Sequence, residues 1–135
     1  MADTQPLPRG TIHFPEGLPG FEHLKQFLLL QEEELLPLAF LTSLVEPRIC
    51  LPVLPVARID QEYSLRLGED DRRILQLPEA PSPEGLLCLA VVNLRDGAQP
   101  PTANLLAPIV VNLANGTAKQ VIQIHTPYSC VAEVY

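Results

Sequence analysis

Apolar positions in this chain come in short bursts, each cut off by proline, glycine or a polar cluster. The bursts are GTIHF at 10–14, QFLLL at 26–30, LAFLT at 38–42, ICLPVLPV at 49–56, YSLRL at 63–67, LLCLAVV at 86–92, PIVVN at 108–112, KQVIQIH at 119–125 and CVAEVY at 130–135. Runs of this length at roughly 8–12-residue spacing, with turn residues between them, predict an all-β sandwich or barrel. Fifteen prolines, about twice the usual share of ~5%, keep every element short. YSLRL alternates and reads as a half-exposed strand, with Leu65 and Leu67 on the side of Tyr63 and Ser64 and Arg66 opposite. In KQVIQIH, Ile122 and Ile124 share one face and Val121, Gln123 and His125 the other. LLCLAVV is apolar on both faces and predicts a central strand covered from both sides. Asn115-Gly116 between PIVVN and KQVIQIH predicts a hairpin over 108–124 closed by a type I′ turn.

A single stretch has helical character. EDDRRILQL at 69–77 opens with three acids, carries Ile74 and Leu75 on a small apolar face and is stopped by Pro78. PEAPSPEG at 78–85 reads as a stiff surface loop. FPEGLPGFE at 14–22 packs two glycines and two prolines between flanking phenylalanines, a rigid turn stapled to the core by Phe14 and Phe21. No repeat or internal boundary is visible. The expectation is therefore one domain over 1–135, an antiparallel β-barrel-like fold with at most one or two short helices and a flexible tail at 1–9.

Composition sharpens this picture. A chain of 135 residues with 47% hydrophobic positions can bury a core without metal or disulfide staples. Nine basic against sixteen acidic residues give a net charge of −7, which disfavours direct nucleic-acid binding because no basic footprint faces the phosphates. With three Tyr, four Phe and no Trp, stacking platforms for single strands are few. An acidic surface instead attracts a basic protein. Cys50, Cys88 and Cys130 are widely spaced in apolar surroundings and predict buried free thiols in a reducing compartment. The polar, proline-rich start MADTQPLPRG is unlike a signal peptide, and no run reaches the ~18–20 apolar residues that span a bilayer. A cytoplasmic location is expected.

Catalytic chemistry is sparse. His13, His23 and His125 have no metal-ligand spacing with one another or with the cysteines. No nucleophile elbow, phosphate loop or Cys-His signature occurs. Glu32, Glu33 and Glu34 read as a solvated acidic turn, and Asp96-Gly97 as a loop leaving the central strand. Neither an enzyme nor a cofactor is expected.

The segment TANLLAPIVVN at 102–112 combines two asparagines, a proline and a β-branched run. Pro108 marks the expected start of a strand, and Asn104 and Asn112 are expected to cap backbone groups at its ends. Taken with GLPGFE it resembles the flagellar assembly factor FliW family. Phe14, Gly17, Leu18, Pro19, Gly20, Phe21 and Glu22 match the family's F-x-x-G-L-P-G-F-E. Phe27 and Leu29 match the F-x-L after it, and Phe40, Leu41 and Ser43 match F-L-Q-S with Thr42 in the glutamine's place. Thr102, Asn104, Leu105, Ala107, Pro108, Ile109 and Asn112 match T-x-N-L-x-A-P-I-x-x-N, and Gln120, Val121, Ile122 and Tyr128 match the downstream positions. The resemblance runs from about Ile12 to Tyr128. ICLPVLPV, with Pro52 added, and the ending CVAEVY depart from the family pattern.

The resemblance implies a barrel-like fold and a non-catalytic protein that binds flagellin and the dimeric RNA-binding regulator CsrA in the cytoplasm. It implies that CsrA is held off the flagellin transcript, by action away from its RNA-binding face, and released when flagellin occupies the protein. CsrA is basic and this chain is acidic. The expected CsrA contacts are the acidic positions Glu46, Asp60, Glu62, Glu69, Asp70 and Asp71. For flagellin they are Phe40, Ser43, Asn104 and Leu106, taken as exposed positions near the motifs. The free protein is expected to be monomeric. A second reading is a small β-barrel ligand-binding module or enzyme with a pocket near Asn104 and Asn112.

Overall fold

The computed structural model describes residues 10–78, 85–95 and 98–134. The tail at 1–9, most of the loop at 78–85 and the Asp96-Gly97 turn lie outside the described residues. Eight strands are present: β1 (Ile12–His13), β2 (Gln26–Gln31), β3 (Ala39–Ser43), β4 (Cys50–Pro55), β5 (Leu86–Asn93), β6 (Thr102–Asn112), β7 (Thr117–Gln120) and β8 (Ala132–Glu133). Among the described residues there are also one α-helix, α1 (Glu69–Leu75), and two 3-10 turns (Glu33–Leu35 and Val56–Arg58). The strands run in the order β5-β4-β3-β2-β1-β7-β6, and β6 pairs back onto β5, so seven strands close a barrel while β8 adds to the outer end of β6. The expected all-β barrel is the fold observed. Its one parallel contact is His13 of β1 against Thr117 of β7.

Alternation builds the interior. Phe27 and Leu29 of β2, Ala39 and Leu41 of β3, Val53 of β4, Leu87 and Leu89 of β5, and Ile109 and Val111 of β6 point inward with Phe14, Leu18 and Leu24 from the β1–β2 connection. Phe14 and Phe27 meet edge-on at 5.2 Å. Two further apolar clusters lie outside the barrel wall. One joins Leu54, Val56, Ala90, Val92, Ala103 and Leu105 to Tyr63 and Tyr128. The other seats Leu75 of α1 on Val110 and Val121. β5 therefore contributes to packing on both faces, as its unbroken apolar run predicts.

Several local expectations are corrected. YSLRL is extended but is no strand: the Gln123 side chain donates to the Arg66 carbonyl at 2.9 Å and accepts from the Arg66 amide at 2.7 Å. Period-two alternation reports an extended backbone with one covered face, and a side-chain amide here takes the place of a ladder. KQVIQIH leaves the ladder after Gln120; Val121 and Gln123 turn inward, Ile122 and Ile124 stand 65% exposed, and His125 sits in a turn at φ 59°. The hairpin exists, but its loop is four residues, 113–116, in which Gly116 (φ 75°) alone adopts the left-handed conformation. Gly116 and Asn115 both donate to the Asn112 carbonyl.

Pro108 lies inside β6 and does not start it. Residues 86–89 run against 109–112 and 91–93 against 102–104, leaving 105–108 opposite Ala90. The proline occupies this bulge, where no ladder N–H is required, and its carbonyl accepts from Val121. Pro52 is similarly tolerated, because the β5 rungs on β4 begin only at Val53. The cysteines also depart from expectation. All three are free, but Cys50 and Cys130 are exposed and only Cys88 is partly buried. Ile49 and Leu51 beside Cys50 pack on the core while Cys50 faces out, and Val131 beside Cys130 is itself 62% exposed, so local hydrophobicity misreads both side chains.

Candidate functional site

The GLPGFE turn is rigid for backbone reasons. Gly17 and Gly20 adopt φ of 68° and 85°, conformations that cost an L-residue about 1–2 kcal/mol. A Cβ on Gly17 would lie 2.5 Å from the Glu22 carbonyl oxygen, whereas one on Gly20 would meet open space. Leu18 and Phe21 exchange backbone hydrogen bonds across the turn. The Gly20 amide donates to the Glu22 carboxylate at 3.1 Å and holds its pKa below the ordinary value.

This turn and TANLLAPIVVN, remote in sequence, meet at one barrel end. Leu18, Pro19 and Phe21 line a depression of about 400 Å³ together with Asn104, Gln120 and Cys130. Among the described residues, Cys130 is the one titratable side chain in its lining. Asn104 accepts from the Leu106 and Ala107 amides at 3.0 Å each, which caps the bulge from inside the strand and not from its end. Asn112, 5% exposed, stands near the other end of the barrel. It donates to the Leu75 carbonyl at 2.8 Å and accepts from the Ala114 amide at 3.0 Å. The capping role expected of both asparagines is observed, and they do not share one pocket.

The residues expected to touch flagellin do not form one patch. Phe40 is half-buried on the outer face of β3. Ser43 is 1% exposed and its hydroxyl accepts from the Val45 and Glu46 amides, so it is a buried turn residue. Asn104 and Leu106 are half-buried at the β6 bulge. Three strand spacings, about 14 Å of sheet, separate β6 from β3 on the β4–β5 side.

The acidic positions divide as well. Glu46 lies in the β3–β4 loop, 3.9 Å from His23, and Asp60 and Glu62 follow the far end of β4, about 20 Å of strand away. Asp60 accepts from the Glu62 amide at 2.9 Å. Asp71 accepts from the Gly68 amide at the start of α1 and pairs with Lys119 of β7, and both charged side chains are more than four-fifths buried. Asp70 pairs with Arg73, whose hydrogen bond holds the carboxylate below its usual pKa. Glu62 and Glu69 are exposed.

Two features went unread in the sequence. Tyr63 and Tyr128 stack with centroids 4.1 Å apart, the Tyr63 hydroxyl donates to the Leu105 carbonyl at 2.6 Å, and the Tyr128 hydroxyl accepts from the Ser64 amide. Burial, reinforced by Cys88, Tyr128 and Asp60, raises the Tyr63 pKa. Burial pushes the Cys88 thiol up to about 12. The second is apolar surface: Leu30, Leu35 and Leu36 are 43–52% exposed around the β2–β3 turn. The signal for it was present in QFLLLQ, where leucines occupy the strand positions that alternate with the core.

Among the described residues no group of three or more His, Cys, Asp or Glu side chains is placed to hold a metal ion, and no helix is long and apolar enough to cross a membrane.

Comparison with known proteins places this arrangement. The family model described as FliW protein matches residues 3–134. The chain is 37% identical over 119 residues to the flagellar assembly factor FliW of Pseudothermotoga lettingae, covering 87% of this chain and 74% of that one. It is 32% identical over 112 residues to that of Thermosipho africanus (82% and 75%) and 37% over 109 residues to that of Carboxydothermus hydrogenoformans (81% and 69%). A crystal structure of the flagellar assembly factor FliW superposes with a TM-score of 0.85 at 27% identity, covering 98% of this chain and 90% of that one. A closed seven-stranded barrel, its GLPGFE turn meeting the asparagine-capped bulge of β6, and a family match over nearly its whole length establish that this chain belongs to the flagellar assembly factor FliW family.

Proposed function

We propose that this chain is a non-enzymatic regulator of flagellar assembly in the cytoplasm, monomeric when free, that binds flagellin and CsrA and relieves CsrA repression of flagellin translation. The observation that carries this reading is family membership over residues 3–134. The charge of −7 supports a basic partner, and steering by complementary charge would speed that encounter. Asp60, Glu62 and Glu69 are the acidic positions best suited to it, because Asp70 and Asp71 already pair with Arg73 and Lys119. Phe40, Leu106 and Asn104 remain the positions for flagellin. If CsrA is inhibited away from its RNA site, the coupling is reciprocal and RNA weakens this protein's hold on CsrA by the same factor. Size-exclusion chromatography of the purified chain with each partner tests the reading: co-elution with both is expected, and binding to neither overturns it.

The depression beside Asn104 favours one alternative, a small-ligand module. Native mass spectrometry of protein purified from cells distinguishes it, since a bound metabolite is expected only for that alternative.

A further inference from the structure

Among the described residues, the outer wall of the barrel is unevenly covered. Over β5 and β6 it is sealed by α1, by residues 56–67 and by the C-terminal segment. Over β2, β3 and β4 the outward side chains form two rows fixed by register: Leu30, Phe40 and Pro52, and beside them Leu28, Thr42 and Cys50. Leu28, Leu30, Phe40 and Pro52 belong to none of the three apolar clusters. Leu30 is 48% exposed, and Leu35 and Leu36 extend the apolar strip into the β2–β3 turn. A contiguous apolar face of this kind marks a contact surface.

Two observations say what covers it. First, β3 is laddered on both sides, to β2 and to β4, so no strand can add to its backbone; an occupant must contact side chains, as the apolar stripe of an amphipathic helix does. Second, Glu32, Glu33 and Glu34, all exposed, lie in the turn between β2 and Leu35. Three carboxylates therefore border one end of the apolar strip. A second copy of this chain would bring the same carboxylates and the same net charge of −7, and such like-charge contacts oppose self-association.

We infer that the outer face of β2–β3–β4 docks an amphipathic helix of a partner protein, its apolar stripe across Leu30, Phe40 and Pro52 and its lysines or arginines at Glu32, Glu33 and Glu34. The inference rests on the proposed function only for the premise that this protein works by protein contact. It assigns the chemistry of the segment that occupies the face around Phe40.

Three synthetic helical peptides of equal length test it by fluorescence anisotropy with the full chain: one leucine-striped with a lysine flank, one with a glutamate flank, and a scrambled lysine peptide. The lysine-flanked peptide is expected to bind at least tenfold tighter than the other two, and F40S to weaken it about tenfold. The double variant E33K/E34K is expected to invert the preference between lysine and glutamate flanks, a result that misfolding cannot produce. Equal binding of striped and scrambled peptides, or an unchanged preference in E33K/E34K, overturns the inference. So does sedimentation of a wild-type dimer that F40S dissociates, which would make a second copy the occupant. Co-elution with flagellin and CsrA is scored separately. If both co-elute while the peptide results fail, the docking face falls and the proposed function stands; if neither co-elutes while the peptides discriminate, the reverse holds.

Discussion

At the residue scale, single side chains and single hydrogens set the local geometry. Gly17 and Gly20 look equivalent in GLPGFE, yet the Cβ contacts separate them. Gly20→Ala is expected to cost about 1 kcal/mol, the left-handed penalty alone. Gly17→Ala is expected to cost about 3 kcal/mol, because a backbone clash at Glu22 adds to it; urea unfolding of both variants gives the comparison, and equal losses would refute the distinction. Tyr63 supplies a pH signature. Its pKa is raised in the folded state by burial, so the stability it lends is complete below the unfolded value near 10 and is lost as pH rises above that value. Tyr63→Phe removes the bond to Leu105, costing about 1 kcal/mol at neutral pH. It is also expected to flatten the fall in stability above pH 10, as followed by unfolding at stepped pH. The glycines were readable as turn residues from the sequence. Which one had no room was set by the turn's own backbone path at Glu22, whereas the meeting of Tyr63 with Tyr128 followed only from chain segments brought together by folding.

At the element scale, α1 illustrates how little a short helix contributes by itself. Seven residues are too few to be stable in isolation, and tertiary contacts hold α1 in place. Leu75 is fully buried, Asn112 donates to the Leu75 carbonyl, Gln76 closes the helix in the left-handed conformation, and Asp71 ties it to Lys119. Asn112→Ala is expected to destabilise the protein by about 2 kcal/mol, since it leaves a buried carbonyl without its donor. Asp71→Ala is expected to cost a similar 1–3 kcal/mol, because Lys119 is only 17% exposed and would keep Glu16 alone, at 3.9 Å. Thermal unfolding measures both, and losses below 0.5 kcal/mol would mean that α1 is held by apolar packing alone. The helix was visible in EDDRRILQL from its acids, its small apolar face and Pro78. YSLRL shows the opposite case: its alternation was real, but whether an extended segment joins a ladder depends on a partner edge. Here the Arg66 backbone groups that a ladder would use are paired with the Gln123 side-chain amide.

At the scale of the whole molecule, closure and charge dominate. The strand order closes on itself through β5 and β6, so further chains meet the barrel through side chains, at its ends, or along short stretches such as Leu28–Gln31 of β2 that lie beyond the β1 rungs. Its acidity gives association a salt dependence. Under the proposed function, the double reversal Asp60→Lys, Glu62→Lys is expected to slow association with CsrA about tenfold at low salt and to flatten its salt dependence. Stopped-flow measurements across ionic strength check this, and unchanged rates would remove that patch from the interface. Glu46 serves as an internal control, because the length of β4 separates it from Asp60.

The sequence by itself determined the strand-rich class, the single helix, the hairpin, the rigid GLPGFE turn and the family. Each depends on local periodicity, on glycine or proline conformation, or on residues matched at fixed spacing. Tertiary structure alone decided that the barrel closes through β5 and β6, that a bulge absorbs Pro108, and that Ser43 is buried while Cys50 and Cys130 are not. It also decided which apolar rows the described residues leave outside the packed clusters. The physical reason is that alternation specifies two faces of a strand without saying what lies against either. TANLLAPIVVN carries both lessons: its asparagines were readable as caps, but that one caps a bulge and the other holds a helix end required partners distant in the chain.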